Sequence, residues 1–133
     1  MDSEFVAFVK GSAKRKGTFR LGVVVRRRGS MENHFAYHMR IRSEEGTSAR
    51  EEYRAIAIAA KNIPYGSSLT IYTNNLTAVR VFSGEWKPKK HLDLLEEFKN
   101  SCVGRQVSVE HAGVEEEEVV KGMQDAEKEC YKK

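Results

Sequence analysis

HFAYHMRIR, at residues 34–42, decides the fold because its large apolar side chains alternate strictly with small or polar ones. A period of two residues is typical of a strand with one buried face. Two further apolar segments precede it, at residues 5–9 and 19–28, with the turn-forming residues Gly11, Ser12 and Gly17 between them and Gly29 and Ser30 after them. The sequence therefore predicts three consecutive antiparallel strands.

Beyond these strands the apolar spacing changes to three or four residues. The pattern predicts helices over residues 49–61, 76–82, 91–102 and 115–129, and strands over 68–73 and 107–109. Thr47 or Ser48 is a suitable N-cap for the first helix. Three antiparallel strands followed by alternating helices and strands give the order βββαβαβα. We therefore expect a mixed α/β (α+β) fold, in which a five-stranded sheet has strand one at its centre and helices on both faces.

Length and composition limit the class of protein. The chain has 133 residues, 40% hydrophobic and 32% charged, which is typical of a single globular domain, here residues 1–133. Apolar runs long enough to span a membrane and the features of a signal peptide are both missing, so we expect an intracellular protein of the cytoplasm or nucleus. Cys102 and Cys130 lack metal-type spacing, so we expect free thiols, no cofactor and no metal.

Charge is distributed unevenly along the chain. Residues 1–43 carry ten Lys or Arg against three Asp or Glu, whereas residues 110–133 carry four against eight. A chain that is basic at one end commonly meets an anionic partner, and nucleic acid is the first candidate. A surface charged for solubility is the alternative interpretation of the same pattern.

Six short motifs, in order, resemble those of the ribonuclease H family. They are FVKGS at residues 8–12, GVV at 22–24, TSAREEYRA at 47–55, IYTNN at 71–75, HLDLL at 91–95 and HAG at 111–113. The resemblance covers nearly the whole chain. It implies the fold of enzymes that cut the RNA strand of an RNA–DNA hybrid, and whose relatives include the connection domains of reverse transcriptases.

The same resemblance implies that the family's catalytic site is degenerate here. Those enzymes use three or four carboxylates to hold two divalent cations. The first-strand Asp corresponds to Lys10, the fourth-strand Asp to Asn74, and the last-helix Asp to Lys121, ten residues after His111. Only Glu52 matches, so we expect no catalytic residues and no cleavage. An engineered Asn74, or Asp125 in place of Lys121, remains an alternative, but neither supplies a carboxylate near Lys10.

A site that has lost its metals can still bind phosphate. The ammonium groups of Lys10 and Lys121 are suited to the space that the cations would fill, and basic loops add further charge. The predicted nucleic-acid-binding residues are Lys10, Gly11, Ser12, Lys14, Arg15, Lys16, Thr47, Ser48, Asn74, Asn75, Lys87, Lys89 and Lys90, with Arg26, Arg27 and Arg28 as a further basic cluster. Solvated surface lysines are the alternative, and Trp86 either stacks on a base or packs under its loop.

Two classes of function follow from these observations. The first is a non-catalytic module that binds duplex RNA or an RNA–DNA hybrid through its backbone. The second is a protein-interaction or tether domain without a nucleic-acid ligand, in which a basic face meets an acidic one. A protein partner therefore remains open, and we expect no membrane partner. A viral or mobile-element origin would suit a small protein of either class.

Overall fold

The computed structural model describes residues 3–15, 17–43 and 46–132. These residues contain five strands and four helices. They are β1 (Glu4–Arg15), β2 (Thr18–Arg27), β3 (Asn33–Arg42), α1 (Ser48–Lys61), β4 (Ser68–Thr73), α2 (Leu76–Phe82), α3 (Leu92–Ser101), β5 (Gln106–His111) and α4 (Glu117–Cys130). Each end lies within two residues of the predicted one, except the end of β1. None of the described helices is long and apolar enough to cross a membrane.

The strands form one mixed sheet in the order β3-β2-β1-β4-β5. β1 pairs antiparallel with β2 and parallel with β4, and the edges are completed by antiparallel β3 and parallel β5. This confirms the predicted five-stranded sheet with strand one at its centre. A strand in that position is covered on both faces, which explains why residues 5–9 are apolar without interruption.

Helices cover both faces of the sheet. Phe5, Ala7 and Val9 belong to the main core, which includes the buried side of α1. Val6 and Phe8 point the other way, into a smaller core with Tyr72 and the residues of α4. α3 packs against α1 and so forms an outer layer on the first face.

The prediction of a turn at Gly11 and Ser12 is wrong, because both residues continue β1 and pair with Leu21 and Arg20. The glycine is needed for a different reason. A Cβ atom at Gly11 would lie 2.6 Å from the backbone nitrogen of Glu52, so only glycine lets α1 approach β1 this closely. The turn itself contains Gly17, at φ +77°.

α4 approaches the opposite face through two other glycines. A Cβ atom at Gly22 would lie 2.5 Å from the carbonyl oxygen of Ala126, and one at Gly122 would lie 2.4 Å from the ring of Phe8. The backbone of α4 therefore lies almost directly on β1 and β2.

Candidate functional site

A groove opens where β1, β4 and the first turns of α1 meet. Because Phe8 is paired with Tyr72, the parallel register places Lys10 level with Asn74 on the neighbouring strand. α1 lies over this point. The groove has a volume of about 240 Å³ and is lined by Lys10, Gly11, Ser48, Ala49, Glu52, Asn74 and Asn75.

Glu52 is the buried carboxylate of the groove, with only 6% of its surface exposed. The Thr73 hydroxyl donates a hydrogen bond of 2.6 Å to Oε1, and the backbone N–H of Gly11 donates one to Oε2. Burial raises the pKa of Glu52, although these two hydrogen bonds and the charge of Lys10 act in the opposite direction. Both oxygens are thus engaged in bonds that join α1 to β4 and β1.

Thr73 is a site residue that sequence reasoning missed as a functional side chain. It is fully buried, and besides bonding Glu52 its oxygen accepts a 3.1 Å hydrogen bond from the backbone of Asn75. The signal that could have found it is a polar residue at the end of an otherwise apolar strand, directly before Asn74.

Asn75 and Thr47 each cap the start of a helix, whereas Asn74 does not. Asn75 caps α2 by accepting a 3.0 Å hydrogen bond from the backbone of Ala78. Thr47 caps α1 in the same way, because its hydroxyl oxygen accepts a 3.1 Å hydrogen bond from the backbone N–H of Arg50. Asn74 is exposed in the groove. The cap at Thr47 confirms the predicted start of the helix, and it also means that this hydroxyl already has a donor.

Lys121 does not line the groove. Its ammonium lies 3.0 Å from Asp125, whose other oxygen accepts a 2.6 Å hydrogen bond from Arg26. The assignment by counting from His111 is corrected by the phase of α4. Gly122 faces Phe8, so Lys121 and Asp125, four residues apart, share the flank that points toward Arg26. Asp125 is likewise engaged there rather than in the groove.

Ser12 also lies outside the groove lining. Its hydroxyl is hydrogen-bonded to the phenol of Tyr131, just after α4, and 8% of the residue is exposed. Ser12 therefore joins β1 to the end of the last helix.

The three predicted basic clusters differ in their surroundings. Lys16 and the side chains of Lys14 and Arg15 lie outside the described residues. In the cluster at 26–28, Arg26 is buried against Asp125 and Asn33. Arg27 and Arg28 are exposed; Arg27 contacts Ser3 and Phe5, and Arg28 contacts Glu4 and Thr70.

The third cluster surrounds a cavity of about 530 Å³ beside α2. The cavity is lined by Tyr53, Thr77, Val81, Glu85, Trp86, Lys87, Pro88, Lys89 and Lys90. Trp86 is 45% exposed, and the guanidinium of Arg80 lies 4.7 Å from the centre of its ring. The three lysines are exposed, so this loop presents positive charge to solvent.

Comparison with solved structures identifies the architecture. The chain superposes on the N-terminal ribonuclease H domain of a Mycobacterium tuberculosis protein, solved as a fusion with maltose-binding protein, with a TM-score of 0.75 over 96% of this chain and 98% of that one. The chain has a ribonuclease H-like fold. At 17% identity the likeness extends to the fold alone.

Two further ribonuclease H structures are similar to it. LC11 ribonuclease H1 in complex with an RNA/DNA hybrid is 16% identical, with a TM-score of 0.68 over 95% of this chain and 96% of that one. Ribonuclease H1 from Halobacterium salinarum is 16% identical, with a TM-score of 0.67 over 92% and 99%. No protein-family model and no curated protein sequence matches the chain.

The described groove does not fit the two divalent cations that the ribonuclease H-like fold implies. Of its lining residues Glu52 alone carries a carboxylate, and both oxygens already accept hydrogen bonds. The described residues contain no group of three or more His, Cys, Asp and Glu side chains able to hold a metal. Lys10 adds a positive charge, and an ammonium about 4 Å from a dication is repelled by about 8 kcal/mol at an effective dielectric of 20.

Proposed function

We propose that this chain is a non-catalytic ribonuclease H-like module that binds duplex RNA or an RNA–DNA hybrid through the nucleic-acid backbone. The observation that carries the proposal is the position of Lys10 in the groove, beside a glutamate whose oxygens are already hydrogen-bonded. An ammonium there attracts a phosphate and repels a metal ion. The groove is therefore suited to binding and lacks a carboxylate cluster for cleavage.

A long anionic ligand would have more than the groove to contact. The groove and the cavity around Trp86 both border α1 and α2. Glu52 and Asn75 line the groove, and Tyr53 and Thr77 line the cavity. The exposed lysines of the second cavity extend the positive surface beyond Lys10. A surface of this kind suits a polymer with regularly spaced phosphates better than a single small anion.

The fold supports the proposed class of duplex. LC11 ribonuclease H1 is similar in structure and was solved with an RNA/DNA hybrid. Helices of A-like form are recognised mainly by shape, 2′-hydroxyls and phosphates across a wide minor groove, with little reading of sequence. We therefore expect binding that depends on duplex type and hardly on sequence.

The test of binding is a mobility-shift assay with single-stranded RNA, duplex RNA, RNA–DNA hybrid and duplex DNA at two salt concentrations. We expect duplex RNA or hybrid to bind most tightly, and binding to weaken as salt is raised. A Lys10→Glu variant should weaken it, whereas Lys128→Glu, an exposed change on α4, should not. Equal binding of all four ligands, or none, would contradict the proposal.

Cleavage is tested with the same hybrid in the presence of Mg²⁺ or Mn²⁺. We expect the hybrid to remain intact, because the described groove offers a single engaged carboxylate. Metal-dependent cleavage that disappeared in Glu52→Gln would show instead that the module is an active nuclease.

A further inference from the structure

β3 forms an edge of the sheet that the fold leaves open. It pairs with β2 alone, so the N–H and C=O groups on its outer side face no described strand. Its ten residues contain no proline, lysine or glycine, and the one irregularity in pairing lies at its start, leaving residues 35–42 regular. Apart from Arg40 and Arg42, residues 35–42 carry no Lys, Arg, Asp or Glu, and a regular open edge of this kind is a template for an added strand.

A groove with an apolar strip runs beside this edge on the side of α1. Its volume is about 380 Å³; Phe35, Tyr37 and Met39 from β3 and Ile58 from α1 form the apolar strip, and the rest of the lining is Arg54, Lys61, Asn62 and Glu97. Alternate side chains of an added strand would point to this side of the sheet. The groove therefore suits every second residue of an extended peptide, provided that those residues are apolar.

The opposite face of the same edge is positively charged. Arg40 and Arg42 alternate with Met39 and Ile41 and so point to the other side of β3. Both are exposed, and neither side chain has a hydrogen bond or ion pair to a described residue. On the groove side, Lys61 has only a 3.5 Å contact with Glu97. Acidic side chains on an added strand would face Arg40 and Arg42.

We propose that β3 binds an acidic, extended segment of a partner protein as a sixth strand. Apolar residues at alternate positions lie in the groove of Phe35, Tyr37, Met39 and Ile58, and the acidic residues between them face Arg40 and Arg42. The main chain pairs with the open edge, as in other cases of β-strand addition. The proposal does not depend on nucleic-acid binding, because it concerns a different edge of the molecule.

A second copy of this chain is a poorer occupant of the edge. Each copy has a formal net charge of +4, and pairing two β3 strands would bring the arginines of both copies to one ribbon. Nucleic acid is also a poorer occupant, because it would leave the apolar groove and the unpaired backbone groups without partners. An acidic peptide satisfies the backbone, the groove and the charges together.

The test uses a fluorescent ten-residue peptide of alternating valine and glutamate, with the full chain as receptor. We expect it to bind at least about tenfold more tightly than alternating valine–lysine or serine–glutamate peptides, since each of these lacks one of the two kinds of contact. Two N-methylated forms of the peptide, one for each alternate set of amides, should differ in affinity. Only the set that faces β3 donates hydrogen bonds to it, so methylation of that set should weaken binding. Binding should also slow amide hydrogen exchange in residues 35–42.

Charge-reversal variants identify the surface. Arg40→Glu with Arg42→Glu should weaken peptide binding about tenfold or more, because two attractive contacts become repulsive. Lys99→Glu with Lys128→Glu is the matched control, which changes the same charge at exposed positions of α3 and α4 and should change the affinity by less than about twofold. Unchanged circular dichroism would show that both variants are folded.

Three results would overturn the proposal. The first is equal binding of the glutamate and lysine peptides, or no protection of residues 35–42. The second is self-association of the chain that Arg40→Glu with Arg42→Glu abolishes, which would assign the edge to a second copy. The third is protection of residues 35–42 by duplex RNA, together with RNA binding that depends on these arginines more than on Lys87 and Lys89.

Discussion

Glu52 has a structural role that requires no bound metal. A buried carboxylate is tolerated when its oxygens are hydrogen-bonded, and Glu52 receives its donors from Thr73 of β4 and Gly11 of β1. The residue thus links three elements at the groove. The link satisfies the buried carboxylate within the protein itself.

Replacing Thr73 by valine tests this link. The change preserves shape but removes the hydroxyl, leaving Oε1 of Glu52 buried without a donor, so we expect the free energy of unfolding to fall by about 1–3 kcal/mol. Thr70→Val is the matched control on the same strand, where the hydroxyl contacts only an exposed arginine and the loss should be under about 0.5 kcal/mol. Urea denaturation measures both, and equal losses would refute the role assigned to Thr73.

The pH dependence of stability tests the electrostatics of the same residue. Because burial raises the pKa of Glu52 above its value in the unfolded chain, the folded protein holds the proton more tightly. The free energy of unfolding therefore falls as pH rises from about 4.3, the ordinary pKa of glutamate, through the raised value. We expect this fall to be missing from the Glu52→Gln variant and kept in Glu96→Gln, an exposed change on α3. If the difference in unfolding free energy between the wild type and Glu52→Gln is constant between about pH 4 and 8, the pKa is not raised.

At the scale of elements, α4 depends on close contact with the sheet. Gly22 and Gly122 leave no space for a side chain at the contacts with Ala126 and Phe8. Glycine in a helix interior ordinarily costs about 1 kcal/mol relative to alanine. Here the glycine is favoured because the approach that it permits buries the ring of Phe8 completely.

Gly122→Ala should consequently destabilise the protein, although the same change at an open helix position stabilises. We expect a loss of about 1–3 kcal/mol from crowding against Phe8. Gln124→Ala, at an exposed position of the same helix, should stay within about 0.5 kcal/mol. Phe8→Leu should lower the free energy of unfolding less in the Gly122→Ala background than in the wild type, because the smaller leucine relieves the clash with Ala at position 122. Thermal denaturation of the wild type, the two single variants and the double variant checks the cycle; additive losses would argue against the contact.

Much of this element-scale organisation is local and could be predicted. α1, β4 and α2 have their expected bounds because their caps and periodicity lie within a few residues of sequence. The prediction of a turn at Gly11 was wrong because glycine is needed there for the close approach of α1, where Glu52 lies 41 residues further along the chain. Lys121 was misplaced for a related reason: counting residues fixes its distance from His111, but the contact between Gly122 and Phe8 fixes its direction.

At the scale of the whole molecule, the charge of the surface differs from the charge counted along the sequence, because some charged residues are paired with each other inside the protein. Arg26 counts toward the basic first third of the sequence, yet 4% of it is exposed and it is paired with Asp125 from the acidic last third. Within the described part of the chain, the cations without such contacts include Arg40 and Arg42 on the β3 edge and the three lysines beside Trp86. Sequence counts could not separate the two groups, because pairing depends on the packing of α4 against β2.

The salt dependence of duplex binding tests whether those loop lysines contact phosphate. Each phosphate neutralised releases counterions and contributes about 0.9 to the log–log slope of affinity against salt for B-form DNA. Replacing both Lys87 and Lys89 by alanine should therefore make the slope shallower by about 1.8 and weaken duplexes of different sequence alike, since phosphate contacts position the backbone without reading bases. Lys99→Ala with Lys128→Ala removes the same charge from exposed positions on α3 and α4, so it should leave the slope nearly unchanged. If both double variants flatten the slope equally, net charge alone governs binding and the loop has no specific role; if neither does, the duplex lies elsewhere on the surface.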